Sequence, residues 1–321
     1  MLNVTEKVNI MLSVIVPAYN EEEMVEKCAS AIRDILLKAS ILYELIFVDD
    51  GSKDNTWEQI VRLSIQRTDI RGIHFSRNFG KEAAIMAGLS NAAGECCVVL
   101  DCDLQHPPEK IIDMYKLWEK GYEVVEGRKS SRGDEGKLHS LAARIFYSLI
   151  SAAVGFDMSN ASDFRLLDRK AVNVLLNMRE RNAFFRALSS WIGFKSTFIE
   201  FDVQERSAGV SKWSTSALVK YAISNISSFS TAPMQIVTAL GVVMFLLSII
   251  FGGIALVQKI NGIALEGFTT VILLLLFSSS IVMISLGIIG FYIAQIYEEI
   301  KGRPRYIISS TCGDQAHDTV D

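Results

Sequence analysis

Four apolar runs recur at intervals of about 25–30 residues through the first hundred residues. They are Leu12-Ser13-Val14-Ile15-Val16-Pro17, Tyr43-Glu44-Leu45-Ile46-Phe47-Val48, Ile70 to Phe75 and Glu95 to Leu100. Each reads as a strand. Between them lie helical stretches. Met24 to Ser40 sets Val25, Cys28, Ala29, Ile32, Ile35 and Leu36 at helical spacing, and a second segment, capped by Asp54 or Asn55, runs to about Thr68. A third, of small residues from Ala83 to Ala92, is opened by Asn78-Phe79-Gly80-Lys81-Glu82. Strand and helix alternating at this interval predict an α/β fold on a parallel sheet with right-handed crossovers.

In such a sheet ligands bind beyond the carboxyl ends of the strands. Polar clusters fall at that edge after the first, second and fourth strands: Tyr19 and Glu21, Asp49 and Asp50, Asp101 and Asp103. The fourth is the sharpest. Val98-Val99-Leu100-Asp101-Cys102-Asp103-Leu104-Gln105-His106-Pro107-Pro108 takes an apolar run directly into two carboxylates spaced i, i+2. In an extended strand these share a face. Two hard oxygen ligands there suit Mg²⁺ or Mn²⁺ held together with substrate phosphates rather than in an all-protein cage. Gln105, next in phase, is a third ligand or a supporting group. The alternative for Asp-x-Asp is a solvated turn. Pro107-Pro108 restarts the chain into a helix near Glu109.

No G-x-G-x-x-G follows the first strand and no G-x-x-x-x-G-K-[ST] occurs, which disfavours a dinucleotide dehydrogenase and a P-loop NTPase. What remains is a nucleotide held partly by acidic side chains, with Asp49 accepting from base or ribose and the metal carboxylates meeting the diphosphate. A net charge of −4 and a pI near 5.7 supply no basic field for nucleic acid. Cys28, Cys96, Cys97, Cys102 and Cys312 lack metal-site spacing and read as reduced thiols of a cytosolic domain. His74, His106, His139 and His317 form no metal-ligand pair and read as structural or solvated. No signal peptide is visible, and Met11 is itself a candidate start, which would make residues 1–10 an extension.

Val124-Val125-Glu126-Gly127-Arg128 reads as a further short strand, followed by a polar loop to Lys137. Arg128, at the strand end, is placed to bind a diphosphate, with Arg132 a second candidate. His139 to Val154 is an apolar helix that would cover the site or lie along a membrane. Asp163 is either an acceptor-side carboxylate near the sugar or half of an internal pair with Arg165. Phe198 to Val203 alternates as a strand. Arg206 and Lys212 then flank a Gly-containing turn, which is either plain surface or the seat of a lipid phosphate.

The hydrophobic fraction of 50% is concentrated after Ala232. Trp213 to Phe229 is amphipathic and reads as an interfacial helix, or else as a core helix of a soluble domain. Met234 to Val257 and Phe268 to Tyr297 carry no charge, and each is long enough to cross roughly 30 Å of hydrocarbon. A short link, Gln258 to Gly267, joins them into a transmembrane hairpin. Lys212 and Lys220 before it, and Lys301, Arg303 and Arg305 after it, outnumber the single Lys259 of the link. The positive-inside rule therefore sets both ends in the cytoplasm. The expected division is a cytoplasmic domain over 1–211, an interfacial helix over 212–231, two transmembrane helices over 232–298 and a cytoplasmic tail over 299–321.

Val16-Pro17-Ala18-Tyr19-Asn20-Glu21-Glu22, Val48-Asp49-Asp50-Gly51-Ser52, Asn78-Phe79-Gly80-Lys81 and Leu100-Asp101-Cys102-Asp103-Leu104-Gln105 together resemble the family 2 glycosyltransferases. The match is to the polyprenyl-phosphate branch, with dolichyl-phosphate mannose synthases and bactoprenol glucosyltransferases. Ser162-Asp163-Phe164-Arg165-Leu166-Leu167, Arg206-Ser207-Ala208-Gly209-Val210-Ser211-Lys212-Trp213 and Ile296 to Tyr306 extend it over nearly the whole chain. The resemblance implies a type-A glycosyltransferase domain with a Rossmann-like, mostly parallel sheet. It implies that Pro17, Tyr19, Glu21 and Asp49, with Asp50 and Lys81 of the same motifs, line the nucleotide-sugar site. Asp101, Asp103 and Gln105 would hold the divalent ion and the donor diphosphate, and Arg206, Ser211 and Lys212 would meet the acceptor phosphate. The implied reaction moves a hexose, glucose first, from a UDP-sugar to undecaprenyl phosphate at a bacterial inner membrane. Asp103, Asp163 and Arg128 would be the catalytic groups, and a homotetramer is the implied assembly. GDP-mannose or a UDP-N-acetyl or amino sugar are alternative donors; a processive synthase and a non-catalytic membrane subunit are the readings furthest from this one. The family often has Ala between the two aspartates, where this chain has Cys102.

Overall fold

The computed structural model describes residues 11–130, 161–178, 180, 184–202, 232–261 and 267–313. The expected runs form β1 (Leu12–Ala18), β2 (Tyr43–Asp49), β3 (Ile70–Phe75) and β4 (Cys96–Val99). They are joined by α1 (Val25–Lys38), α2 (Thr56–Gln66) and α3 (Lys81–Asn91). These strands lie parallel in the order β4-β1-β2-β3. The chain leaves β1 toward β2 and β3, then returns to place β4 on the other side of β1. That reversal opens a crevice between the carboxyl ends of β1 and β4, where a ligand can enter an open α/β sheet.

Beyond β4 the sheet becomes mixed. After α4 (Lys110–Glu119) come β5 (Val124–Lys129), β6 (Ala161–Asp168), α5 (Arg169–Asn177), α6 (Phe185–Trp191) and β7 (Ser196–Phe201). β6 runs antiparallel to both β4 and β5, and β7 parallel to β5. A last strand, β8 (Ile308–Cys312), pairs antiparallel with β3. The complete order is β7-β5-β6-β4-β1-β2-β3-β8. Residues read from sequence only as a tail thus supply one edge of the sheet.

Both faces of the central strands are covered, so these strands are apolar throughout rather than alternating. Leu12, Val14, Val16, Leu45 and Phe47 share a core with Val25, Cys28, Ala29, Ile32 and Leu36 of α1, all fully buried. On the opposite face α3 approaches so closely that a Cβ on Gly88 would stand 2.2 Å from the Ile15 side chain. This is why its sequence is a run of small residues. Gly51, with φ +66°, lies against the backbone of Arg77; a Cβ there would be 2.4 Å from the Arg77 carbonyl carbon.

The chain divides into two compact units, Met1–Ser214 with Pro304–Asp321, and Thr215–Arg303. In the second, α7 (Ala232–Ile260) and α8 (Phe268–Ile300) touch each other and present large exposed apolar side chains, among them Phe245, Ile249, Phe251, Phe277 and Met283. Within α8, Phe277–Ile300 is long and apolar enough to cross a membrane; Val237–Phe251 in α7 is a shorter apolar stretch. The expected helices over 139–154 and 213–229 lie outside the described residues.

Gly51→Ala combines a left-handed backbone with a backbone clash, so it should destabilise the first unit by about 2–4 kcal/mol. Thermal unfolding followed by circular dichroism checks this; an unchanged midpoint would mean the Asp50–Ser52 loop can move away from Arg77.

Candidate active site

The loops after β1 and β2 are tied together by backbone-to-side-chain hydrogen bonds. Asn20 N–H donates to Ser52 Oγ at 2.8 Å, Glu21 N–H to Thr56 Oγ1 at 2.8 Å, and Lys53 N–H to Asn20 Oδ1 at 2.9 Å. Asn20 adopts φ 54°, a conformation that asparagine tolerates better than most residues. Pro17, within β1, and the half-buried Tyr19 therefore sit on a rigid ledge beside Asp49. Asp49 is fully buried. Its Oδ1 accepts from Ser52 N–H at 3.1 Å and its Oδ2 lies 2.6 Å from His74 Nδ1, whose ring stacks on Trp57 at 5.0 Å. A carboxylate oxygen can accept two hydrogen bonds, and each of these has one partner from Ser52 or His74.

Asp50 turns inward. Its carboxylate accepts Phe79 N–H at 2.6 Å and Gly80 N–H at 2.9 Å, clamping the loop that enters α3. Burial pushes its pKa up to about 6, against those two hydrogen bonds and with a smaller contribution from the Asp49 charge. Its neighbourhood is that of a loop anchor.

That loop delivers Lys81, the first residue of α3, to the crevice. Lys81 Nζ stands 2.7 Å from Asp101 Oδ1, 2.9 Å from Asp101 Oδ2 and 2.7 Å from Asp163 Oδ2. The 2.7 Å approach to Oδ1 is an ion-pair contact without hydrogen-bond geometry, and Oδ1 is buried with no hydrogen bond. Arg186, in α6, grips Asp163 with both arms, Nε to Oδ1 at 2.6 Å and a terminal nitrogen to Oδ2 at 2.8 Å. Burial alone would raise the Asp163 pKa; the charges of Arg186 and Lys81 hold it well below the usual carboxylate range. Glu82 accepts from Phe185 N–H at 2.9 Å, and burial with the nearby Asp163 charge pushes it to about 7.

The two aspartates of the Asp-x-Asp do not lie on an extended strand. β4 ends at Val99 and residues 102–103 form a turn that closes at Leu104 with φ 58°. Asp103 Oδ1 accepts Gln105 N–H at 3.1 Å. The turn is held from below. Cys102 is buried against Cys28, and His106 accepts Asp101 N–H at 3.4 Å through Nδ1 while stacking on Phe164 at 5.2 Å. His106 is therefore structural, as read from sequence. Strand alternation is not what positions Asp101 and Asp103; this packing is.

Asp163 does not pair with Arg165. Arg165 is fully buried and donates to Ser189 Oγ and Ser190 Oγ, each at 2.7 Å, and lies 3.4 Å from Glu126 Oε1. Arg128 lies 3.4 Å from Glu126 Oε2 and over the Phe198 ring at 4.2 Å, near the sheet edge. Arg132, Arg206, Ser211 and Lys212 fall outside the described residues.

Among the described residues no three His, Cys, Asp or Glu side chains assemble into a metal cage. The donors present are hard oxygens, and the buried Asp101 Oδ1 lacks a hydrogen bond. This set fits a divalent ion that completes its shell with substrate phosphate oxygens, and does not fit one held by protein alone.

A model described as glycosyl transferase family 2 matches residues 13–176. The chain is 40% identical over 301 residues to the putative glycosyltransferase CsbB of Bacillus subtilis, covering 93% of this chain and 91% of that protein. It is 36% identical over 299 residues to the prophage bactoprenol glucosyl transferase homolog of Escherichia coli, covering 92% and 98%. It is 33% identical over 302 residues to the bactoprenol glucosyl transferase of Shigella phage SfII, covering 94% and 98%. A crystal structure of glucosyl-3-phosphoglycerate synthase from Mycobacterium tuberculosis aligns with TM-score 0.48 and 19% identity, over 69% of this chain and 80% of that one.

The Asp50 geometry generates a pH prediction. Its folded pKa of about 6 lies above its ordinary value, so the native state keeps a proton that the unfolded chain has lost. The resulting stabilisation is full below about pH 4 and is lost as pH rises toward 6. Asp50→Asn keeps an oxygen acceptor for Phe79 and Gly80 but does not titrate. Its thermal midpoint, relative to the unsubstituted chain, should rise between pH 4 and 6.5 and then level off; a flat difference would show an ordinary carboxylate.

Proposed function

The chain belongs to glycosyl transferase family 2, and on that premise we propose that it moves a hexose, glucose first, from a UDP-sugar to undecaprenyl phosphate. The observation that carries this reading is the convergence of Asp101, Asp163, Lys81 and Arg186 on one point at the carboxyl edge of the sheet. It joins a carboxylate suited to a hard cation with cations suited to phosphate. Relatives along almost the whole chain that carry the name bactoprenol glucosyl transferase support a polyprenyl phosphate as acceptor.

In this reading the nucleoside rests against Pro17, Tyr19, Glu21 and the Asp49–His74 pair. Asp101, Asp103 and Gln105 hold Mg²⁺ or Mn²⁺ with the donor diphosphate. When bound, the ion offsets the charge that builds on the departing diphosphate. An oxygen of the acceptor phosphate attacks the anomeric carbon, the bond from that carbon to the diphosphate breaks, and UDP leaves. The acceptor is already an anion, so no proton has to be removed from it. Asp163, kept ionised by Lys81 and Arg186, orients these cations at the sugar; Arg128, now on Glu126 and Phe198 at the end of β5, would have to turn from them to bind the diphosphate. Arg206, Ser211 and Lys212 take the lipid phosphate. α7 and α8 form the membrane hairpin, with the Lys and Arg residues flanking it keeping the catalytic unit on the cytoplasmic side of the inner membrane.

The test is the purified protein in detergent with undecaprenyl phosphate and a panel of UDP- and GDP-sugars, with lipid products followed by mass spectrometry. UDP-glucose should give a single hexose on the lipid, abolished by EDTA. Asp101→Ala and Asp103→Ala should each lower turnover by about 10²–10³-fold without a change in circular dichroism. A different productive sugar would change the donor assignment, and no lipid product from any donor would overturn the proposal.

A further inference from the structure

Asp101 is the carboxylate expected to meet the ion, yet it is already paired with a cation of the chain itself. The Lys81 ammonium lies within 2.9 Å of both its oxygens and 2.7 Å from Asp163 Oδ2. We propose that Lys81 is a resident counter-ion that makes tight binding of the divalent ion conditional on the donor diphosphate.

Three features support this role. Asp101 Oδ1 is buried without a hydrogen bond, so its charge is balanced through the ion pair rather than by donated N–H groups. Lys81 has a second anchor in Asp163, and an ammonium has three N–H donors, so it can give up Asp101 without losing every partner. Local charge decides the order of binding. Asp101 and Asp163 are opposed by Lys81 and Arg186, so these four paired side chains sum to about zero charge. Glu82 beside them accepts from the Phe185 amide and, with a pKa raised to about 7, adds only part of a negative charge at neutral pH. A bare divalent ion would turn this nearly balanced cluster positive beside an ammonium. A nucleoside diphosphate arriving with the ion cancels the excess, and Lys81 can then turn an N–H toward the phosphates.

A plain structural ion pair would order the start of α3 and do nothing more. The two roles separate in metal binding, a property that does not depend on turnover. The inference rests on the metal reading above, and the experiment keeps their failures apart. Equilibrium dialysis would measure Mn²⁺ bound to the full chain in detergent, with and without UDP, for the unsubstituted protein, Lys81→Gln, Lys81→Met and Lys81→Arg. The unsubstituted protein should bind Mn²⁺ weakly alone and at least tenfold more tightly with UDP. The two uncharged variants should bind Mn²⁺ alone at least tenfold more tightly than the unsubstituted protein, with the UDP effect reduced by the same factor. Lys81→Arg keeps the charge and should keep the original pattern. Two uncharged variants guard against misfolding of either one, which circular dichroism would reveal. If neither binds Mn²⁺ alone better than the unsubstituted protein while UDP still promotes binding, Lys81 is structural and this inference falls, leaving the metal reading intact. If no form binds Mn²⁺ under any condition, the metal reading falls and takes this one with it.

Discussion

Two carboxylates brought together in a partly desolvated crevice cannot both remain ionised unless cations stand between them. The site is organised by this requirement. Asp101 comes from the end of β4 and Asp163 from β6, two strands that run antiparallel to each other. Lys81 and Arg186 answer them from two different helices, one at the start of α3 and the other in α6. Asp163, which is buried, has both Lys81 and Arg186 as compensating charges, and losing the two together would leave a buried charge unpaired, which is far more destabilising than losing an exposed ion pair. The placement of two helices and two strands is thus coupled to a single electrostatic cluster.

Polar groups at the other end of the strands are used differently. There the buried Glu44 accepts from Ser13 Oγ at 2.6 Å, from Ala93 N–H at 2.6 Å and from Arg71 at 3.1 Å. Tyr43 donates to Asp69 at 2.7 Å, and Arg67 completes that group. These networks are closed by protein donors alone and contribute to stability. At the carboxyl edge Asp101 Oδ1 stays without a hydrogen bond and Lys81 is shared between two acids. The same chemical types therefore build structure at one edge and leave unfinished valence at the other.

Much of this was legible in the chain itself, because strand runs and the acids that end them are local patterns. Asp49 and Asp101 could be found that way, whereas Asp163, inside β6, stood out only through the Ser162-Asp163-Phe164-Arg165 stretch. Arg186 could not: it carries no motif, and its role arises only when α6 folds back across β6. Asp50 and Asp49 are adjacent and chemically identical, yet one pairs with His74 and the other clamps Gly80, a distinction made by the β3–α3 loop. The turn at Cys102–Leu104 was hidden for the same reason. Strand alternation is a fair expectation for Asp-Cys-Asp until Cys28 and Phe164 pack beneath it. The antiparallel β6 was equally hidden, since orientation is set by the path of the connection and not by the strand's own residues.

β8 lies after both apolar helices in the chain, yet it belongs to the sheet that precedes them. Tyr306 stacks on Phe75 at 5.1 Å, Ile307 accepts Ser76 N–H at 3.0 Å, and Arg305 donates to the Met178 carbonyl. During synthesis, β3 must therefore wait as an open edge while some two hundred later residues leave the ribosome, α7 and α8 among them. An unpaired strand edge is a template for the wrong partner. β8 closes that edge only on a chain translated through both helices, so completion of the sheet reports that α7 and α8 have been made. A product cut short after α8 would keep every acid of the crevice and still carry an unfinished, adhesive border.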